Sequence, residues 1–476
     1  MGDSVDTANT APARKDALGA MAQYLRDFGV LRDNPREYWG IQVVNFLDSL
    51  AYFAFFNMVV VFLSENIGWD DVNAGYIFTA FTMLVTISLF VGGFVTDALG
   101  IRRGLYVALL MAFVARAGIT FCGLVDFPFR EWAVIPFFLL ASPSMAMTQT
   151  LFQSANRRYS TPRSRSASFN AWYLIMNLGA AGAGFAIDFI RKTLGLGNAW
   201  IYGFAALTCI LSALAVLAMV RREEQVLGEG EQPEPARVED KVGVIERLGA
   251  LVKQESFWRF MVLCVAVLGV RAVFLYFGML LPKYWLRIIG PDAPIGMLQT
   301  INPILVIAGL ILMIPITGRF NVLKMLVGGA AISALSLLVL VLPWAWFGAD
   351  VPTGYLNMSI AMAVILSFGE LLWSPRLQEY TAAIAPKGQE GAYLGMSMMP
   401  YFFAKLVVSA LSGHMLLRWC PEGVGEAVRA GTLGFWQSPE AMWLVLFFWA
   451  AFGPVVVWLA RGWLTRGTEL EGKKAS

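Results

Sequence analysis

The chain alternates long apolar runs with short polar segments, and the runs are long enough to cross a lipid bilayer as helices. A bilayer core of about 30 Å requires roughly 20 residues at about 1.5 Å per residue. The pattern therefore predicts an all-α polytopic membrane protein with about twelve transmembrane helices in two six-helix bundles. The predicted spans are Tyr38–Leu63, Asn73–Val95, Gly104–Leu124, Trp132–Gln153, Ser168–Ile190, Trp200–Val220, Phe257–Leu281, Ile295–Ile316, Val322–Pro343, Tyr355–Ile384, Tyr393–Leu417 and Glu440–Trp463.

Polar segments divide the chain into five regions. They are an N-terminal tail at 1–37, a first bundle at 38–220, a linker at 221–256, a second bundle at 257–463 and a C-terminal tail at 464–476. The linker is rich in Glu, Gly, Pro and Lys, as a solvated segment should be, and we expect a short surface helix near Val244–Gln254. Ala17–Val30 has the spacing of an amphipathic surface helix, with a frayed tail as the alternative.

Composition agrees with this pattern and narrows the classes of function. Only 14% of the 476 residues are charged, whereas soluble domains have about a quarter. The four cysteines are scattered, and we find no metal-ligand spacing, nucleotide-binding loop or nucleophile constellation. We therefore expect no enzyme activity, no cofactor and no metal. We also expect no nucleic-acid partner, because the arginines at 157–165 are most simply an anchoring loop. A channel is not favoured either, because no repeated pore-lining ring is found.

Basic residues between the spans favour one side of the membrane. The positive-inside rule places that side, the linker and both termini in the cytoplasm. The predicted location is the plasma membrane, or the inner membrane in a bacterium. The loop residues that set this orientation are Arg102, Arg103, Arg157, Arg158, Arg163, Arg165, Arg319, Lys324 and Lys387.

Several ionisable residues lie inside predicted spans, where a charge is costly and usually has a function. Asp48, Arg271 and Glu370 lie near the middle of the first, seventh and tenth spans. A buried carboxylate can exchange a proton or accept a cationic group, whereas arginine stays charged and binds anionic groups. The alternative is that such charges only lock helices together. The pairs considered for locking are Asp48 with Arg271, Glu370 with Lys405 and Arg376 with Glu379, and the role of Arg116 stays open.

The segment between the second and third spans carries a family resemblance. Its pattern Gly-x-x-x-Asp-x-x-Gly-x-Arg-Arg resembles the loop signature of the major facilitator superfamily, although Ala98 stands where that family usually has a basic residue. The resemblance implies a secondary transporter whose first, fourth, seventh and tenth helices line a central cavity. Those helices contribute Asp48, Gln149, Arg271 and Glu370. The signature residues, which we expect to latch one gate, are Gly93, Asp97, Gly100, Arg102 and Arg103, and Gly100 permits a positive φ in the turn.

Further stretches resemble the proton-coupled oligopeptide transporter family. They are Trp172–Ala180, Gln299–Ile304 and Gly369–Pro375, the last followed by Ala385–Lys387 and Gly395. In that family the glutamate that matches Glu370 helps to bind the amino end of the peptide. The resemblance therefore implies this role for Glu370 and a similar one for Asn302.

The Trp172–Ala180 stretch has two interpretations, which are compatible. Tyr173 and Asn177 are expected on the cavity face, where they would contact a substrate. Gly179, together with Gly182 and Gly184, would allow close helix packing with no ligand involved.

The chain also departs from that family at two places. The family's first helix carries Glu-x-x-Glu-Arg, but the matching stretch Asn45–Ser49 has one acid and no arginine. The Lys-Pro of the fourth helix is replaced by Thr148–Gln149. Arg271 and Lys405 are the candidates for a relocated positive charge.

Together these features predict a secondary active transporter for a small polar or zwitterionic organic solute, peptide-like by resemblance, with protons as the coupling ion. We expect Glu370 and Arg271 to bind opposite charges of the solute and Asp48 to carry the proton, in a protein that acts as a monomer. Two alternatives stay open. One is an exporter that moves drug-like or metabolite molecules by proton antiport, and the other is a transporter-like sensor that moves nothing.

Overall fold

The computed structural model describes residues 29–161, 163–221, 255–317, 321–384 and 399–464. Within these ranges the chain is helical, and a long helix lies at each predicted span, which confirms the predicted fold class. Ten of the described helices are long and apolar enough to cross a membrane. We number the helices α1 (Arg36–Val61), α2 (Asp71–Leu89), α3 (Ala98–Leu124), α4 (Arg130–Arg158), α5 (Arg165–Asp188), α6 (Ala199–Met219), α7 (Glu255–Met279), α8 (Ile295–Thr317), α9 (Val322–Leu335), α10 (Val351–Ile384), α11 (Met399–Trp419) and α12 (Pro439–Leu464).

Two short helices, Leu281–Ile288 and Val424–Arg429, lie between these long helices. The surface helix predicted near 244–254 lies outside the described residues, as does nearly all of the predicted helix at 17–30. The loop residues Lys387 and Gly395 also lie outside them.

The connection between α2 and α3 is tighter than the sequence predicts. Helical backbone continues from Asp71 to Leu124 except at Gly100, where φ is 73° and ψ is 173°. This combination is essentially restricted to glycine, so the positive φ expected at Gly100 is confirmed. The chain turns at a single residue, whereas the sequence predicts a loop of several residues. The side chains of residues 90–97, which include Asp97, lie outside the described part of the structure.

The helix assembly has two ends, which we call the basic face and the opposite face. The basic face is the end that carries Arg102, Arg103, Arg157, Arg158 and Arg221. The opposite face carries the connections from α1 to α2 and from α7 to α8. Among the described residues, one large apolar core joins both halves toward the opposite face; it includes Phe55, Phe81, Phe138, Tyr284, Leu298, Met362 and Trp443.

Toward the basic face the halves have separate cores. The core of the first half includes Tyr38, Leu105 and Leu151. The core of the second half includes Phe260, Leu326 and Tyr380. The described side chains therefore pack the two halves together at the opposite face and apart from one another toward the basic face.

Close helix contact at the opposite face depends on glycines. Gly184 on α5 lies against Gly296 on α8, and a methyl group on Gly184 would collide with the Gly296 carbonyl and the Thr300 hydroxyl. Gly179, nearer the middle of α5, lies against Ser49 on α1, where an added methyl group would collide with the Ser49 side chain. The packing interpretation of these glycines is thus confirmed, because small residues let backbones approach.

We expect Gly100→Ala to lower the melting temperature of the purified protein, because a side chain at this backbone conformation costs about 1–3 kcal/mol. Gly328→Ala is the matched control. Gly328 lies on α9, and an added methyl group there would meet no atom within 4 Å. Alanine at this position should therefore leave stability unchanged or raise it. Thermal unfolding in detergent measures both variants. Equal melting temperatures for Gly100→Ala and the unsubstituted protein would contradict the strain assigned to the turn.

Candidate functional site

Arg271 and Glu370 lie at the depth where the shared core gives way to the separate cores. Arg271 follows Val270 of the separate second-half core and precedes Ala272 of the shared core. Glu370 lies between Leu366 of the shared core and Trp373 of the separate core. The sequence prediction that these charges lie midway along their helices therefore agrees with the packing.

Glu370 on α10 is held by an amide from α8. The side-chain nitrogen of Asn302 donates to Glu370 Oε2 at 2.8 Å and to Ser367 Oγ at 3.0 Å. The Ser367 hydroxyl donates in turn to the Ala363 carbonyl at 2.7 Å. Asn302 is thus oriented by two acceptors one turn apart. Glu370 keeps part of its surface accessible, so it can accept a further donor.

Arg271 on α7 contributes the positive charge of the same group. Its guanidinium carbon lies 5.0 Å from the centroid of the Trp373 ring, a distance at which a cation is attracted to the ring face. Arg271 and Glu370 lie within electrostatic range of each other. The aromatic ring and the carboxylate together account for a cation at this depth.

Tyr173 on α5 brings the first half into the group. Tyr173 lies within electrostatic range of both Glu370 and Arg271. Its neighbour Asn177 is buried and donates to the Tyr173 carbonyl at 2.9 Å. The structure therefore brings Tyr173, Arg271, Asn302 and Glu370 together from both halves of the chain. We call these four residues the central group.

The central group has the chemistry needed to bind a small molecule that carries both charges. A carboxylate accepts hydrogen bonds from an ammonium group, and a guanidinium binds a carboxylate through two parallel hydrogen bonds. The amide and the phenol can each donate and accept. No metal-binding cluster of His, Cys, Asp and Glu occurs among the described residues.

Asp48 has a different partner from the one considered in the sequence analysis. Asp48 Oδ1 lies 3.5 Å from Arg116 Nη2, so the pairing with Arg271 is wrong. Arg116 also donates to the Ala205 carbonyl at 3.2 Å and to Cys209 Sγ at 3.0 Å. The pair therefore lies inside the first half, between α1, α3 and α6.

The Asp48–Arg116 pair is asymmetric in its exposure. The Arg116 side chain is 2% exposed and the Asp48 side chain 17%. A buried guanidinium without a counter-charge is strongly unfavourable. Asp48 therefore compensates Arg116 while keeping some accessible surface of its own.

The remaining predicted residues are placed as follows. Gln149 is exposed on α4, and none of the hydrogen bonds found between described side chains joins it to the central group. Lys405 is buried on α11. The Glu379 side chain lies outside the described residues, so its pairing with Arg376 stays a prediction.

Ion pairs between the halves close the opposite face, and the sequence pattern does not predict them. Lys283 Nζ lies 2.6 Å from Glu65 Oε1 and 3.5 Å from Asp71 Oδ1. Arg287 Nη2 lies 2.6 Å from Asp71 Oδ2. Lys283 and Arg287 follow α7 in the second half, whereas Glu65 and Asp71 belong to the first half. The side chains of Lys283, Arg287 and Asp71 are buried, at 1%, 8% and 10% exposure, whereas Glu65 is 49% exposed.

Asp188 and Arg191 make a second contact between the halves at the same face. The Asp188 carboxylate accepts from the backbone amides of Gly296 at 2.9 Å and Met297 at 2.8 Å. These are unsatisfied donors at the start of α8, where a negative charge is favourable. Arg191 donates to the Pro291 carbonyl at 3.2 Å. Side chains from the end of α5 thus hold the start of α8.

A sequence signal for this closure existed in the loop charges. Acidic residues in the connection from α1 to α2 and basic residues after α7 are predicted on the same side of the membrane. Opposite charges in two loops of one face favour a contact between them. The sequence leaves the partners open, because many loop charges share that face.

We expect Asp71→Asn to weaken the closure, because it leaves Lys283 and Arg287 with less counter-charge in a buried cluster. Asp70→Asn is the matched control. Asp70 caps α2 by accepting from the Asn73 backbone amide, which lowers the pKa of its carboxyl below the ordinary value, and asparagine caps equally well. Spin labels on the exposed residues Leu196 and Phe435 report the separation of the halves.

For Asp71→Asn a population at longer distance should appear between the two labels, and for Asp70→Asn the distribution should match that of the labelled parent. The closure assigned to Asp71 is wrong if both variants give the parent distribution.

Comparison with solved structures identifies the fold. A peptide transporter POT in complex with sulfate matches with a TM-score of 0.68 at 17% identity, covering 91% of this chain and 95% of that one. An auto-inhibited POT family peptide transporter matches with a TM-score of 0.67 at 17% identity, covering 91% and 97%. A POT family transporter in complex with 5-aminolevulinic acid matches with a TM-score of 0.66 at 15% identity, covering 91% and 97%.

Comparison with curated proteins gave no match. The sequence profile of the Major Facilitator Superfamily matches residues 42–293, which is more than half of the chain. The matched segment begins in α1, covers the first half and ends after α7, the first helix of the second half. With the twelve-helix arrangement and the likeness to POT structures, this match shows that the chain is a multi-pass membrane transporter that belongs to the Major Facilitator Superfamily.

Proposed function

We propose that the protein is a secondary active transporter for a small zwitterionic, peptide-like organic solute. The observation that carries the proposal is the central group. It combines a carboxylate, a guanidinium, an amide and a phenol from both halves at the depth where the halves begin to separate. A solute held there is in contact with both moving parts of an alternating-access transporter.

Each charge of the central group has a proposed role in binding. Glu370, oriented by Asn302, accepts the ammonium end of the solute. Arg271 binds the carboxylate end, and the Trp373 ring keeps the guanidinium in place. Tyr173 contributes a contact from the first half, so that binding favours closure of the halves around the solute. Asn177 and Gln149 are proposed as further contacts of the cavity wall.

The closed opposite face supports a cycle of alternating access. In the described arrangement the solute would enter or leave from the basic face. Transport to the other side requires that the pairs of Lys283 and Arg287 with Asp71 break while the basic face closes. We propose that the α2–α3 signature forms the latch at the basic face. Its residues are Gly93, Asp97, Gly100, Arg102 and Arg103.

Protons are the proposed coupling ion. A carboxylate at membrane depth can take up a proton on one side and release it on the other. Glu370 and Asp48 are the candidates. Protonation of Asp48 would leave Arg116 without its counter-charge, and this would link proton uptake to a rearrangement within the first half.

The ligands named for the structural neighbours support this class of solute. One neighbour is described in complex with 5-aminolevulinic acid, and another in complex with sulfate. An amino acid and an oxyanion each present a group that Arg271 can bind. We further propose that the basic face is cytoplasmic, with both termini on that side of the plasma membrane, and that the protein acts as a monomer.

A second candidate is export of drug-like or metabolite molecules by proton antiport. It is favoured by the absence from α1 of the Glu-x-x-Glu-Arg pattern found in the oligopeptide transporter family. In the matching stretch Asn45–Ser49, Asp48 is the one acid, and it pairs with Arg116. The direction of proton-driven flux separates the two candidates. Binding without any flux would instead support a sensor.

We expect Glu370→Gln to reduce proton-driven uptake of a dipeptide into proteoliposomes at least tenfold, because the amide cannot neutralise an ammonium group or carry a proton. Glu426→Gln is the matched control, since Glu426 is exposed in the short helix Val424–Arg429. Uptake is measured with an inward proton gradient at several external pH values.

The unsubstituted protein and Glu426→Gln should show the same gradient dependence, and Glu370→Gln should lose it. Unchanged uptake and unchanged pH dependence in Glu370→Gln would overturn the site assignment. Efflux driven by the inward gradient would support antiport instead of symport.

A further inference from the structure

Two adjoining grooves open at the basic face, between the start of α3 and the end of α6. The larger has a volume of about 740 Å³ and is lined by Arg102, Leu214, Leu217, Ala218 and Arg221. The smaller has a volume of about 480 Å³ and is lined by Leu99, Arg102, Arg103, Tyr106 and Arg221. Because two arginines line both grooves, the grooves form one continuous surface, which we call the α3–α6 groove.

The polar end of the α3–α6 groove is positively charged. Arg102 and Tyr106 are four residues apart on α3 and so lie on the same side of the helix. Arg221 follows the end of α6, and Arg103 and Arg221 are exposed. Among the described lining residues there are three arginines and no acid. A guanidinium binds phosphate oxygens through paired hydrogen bonds, so this end is suited to a phosphate group.

The Tyr106 hydroxyl adds a donor to this end of the groove. It is buried and has no hydrogen-bond partner among the residues that the structure describes. Buried hydroxyl groups are normally satisfied. A phosphate or glycerol oxygen in the smaller groove would supply the acceptor that Tyr106 lacks.

The other end of the α3–α6 groove is apolar and faces outward. Leu214 is 55% exposed and Leu217 is 57% exposed. Both lie on α6, a helix long and apolar enough to cross the membrane. Exposed leucines on such a helix contact lipid chains. The groove therefore continues from a cationic end at the membrane boundary to an apolar strip along the hydrocarbon.

From this arrangement we infer that the α3–α6 groove binds an anionic phospholipid. The phosphate lies between Arg103 and Arg221, and one acyl chain follows Leu214 and Leu217. Basic pockets beside membrane helices favour lipids with net negative charge, because a zwitterionic headgroup brings its own cation. A free phosphate ion would use the arginines but would leave the apolar strip without a function.

Native mass spectrometry of the purified full-length protein tests this inference. The probes are phosphatidylglycerol and phosphatidylcholine with identical acyl chains, and inorganic phosphate. The test variants are Arg221→Gln and the double variant Arg103→Gln/Arg221→Gln. The matched control is Arg163→Gln, which removes an exposed arginine of the same face that does not line the groove.

The unsubstituted protein and Arg163→Gln should bind phosphatidylglycerol at least fivefold better than phosphatidylcholine. The ratio of phosphatidylglycerol binding to phosphatidylcholine binding should fall in Arg221→Gln and approach one in the double variant. Leu217→Trp, which keeps every charge but fills the apolar strip, should reduce binding of phosphatidylglycerol and thereby provides a test if the arginine variants fail to fold. The inference is overturned by an equal preference in all variants, or by displacement of phosphatidylglycerol with millimolar inorganic phosphate.

Discussion

A charged side chain inside a membrane protein must have an opposite charge, a strong dipole or water nearby, and this constraint organises the molecule. Arg271 has the Trp373 ring and Glu370 nearby, and Arg116 has Asp48. At the opposite face Lys283 and Arg287 have Glu65 and Asp71. The location of each pair determines its effect. A pair within one half holds helices together, whereas a pair between the halves can open and close during transport.

The three groups of charges differ in this respect. The Asp48–Arg116 pair lies entirely within the first half. The Lys283 cluster connects the halves at one face only. The central group also spans the halves, but its charges are partly accessible and so remain available to a solute. In the proposed cycle the Asp48–Arg116 pair responds to a proton, the Lys283 cluster opens when the halves separate, and the central group binds the solute.

The apolar cores show the same division. A core shared by both halves at the opposite face and separate cores toward the basic face make the assembly asymmetric along its axis. Closing the basic face would need new contacts there and the loss of contacts at the opposite face. The contact of Gly184 with Gly296 is one that opening of the opposite face would break, because small residues let the two backbones approach closely there.

Much of the fold could be predicted from the sequence, because hydrophobic runs report membrane crossings directly. The twelve helices, the positive φ at Gly100 and the depth of Glu370 and Arg271 all follow from local patterns. The pairing of Asp48 with Arg116 could not be predicted, because it depends on the rotation of α1 and α3 about their axes. Hydropathy gives no measure of that rotation.

The closure at the opposite face was missed for a different reason. Lys283 and Arg287 lie in a polar segment that reads as an ordinary loop. Their partners, Glu65 and Asp71, lie more than 200 residues earlier in the chain. Only the relative position of the two halves brings these residues together, and that position is a property of the tertiary structure.

The central claim is that Glu370 and Arg271 bind opposite ends of one solute, and calorimetric binding tests it most directly. The measurement compares a dipeptide with its N-acetylated and C-amidated forms in the unsubstituted protein, Glu370→Gln and Arg271→Gln. Acetylation should weaken binding to the unsubstituted protein but not further weaken binding to Glu370→Gln, and amidation should behave in the same way toward Arg271→Gln. If the loss of binding free energy from modifying the ligand adds to the loss from the substitution in every combination, neither residue binds the end assigned to it.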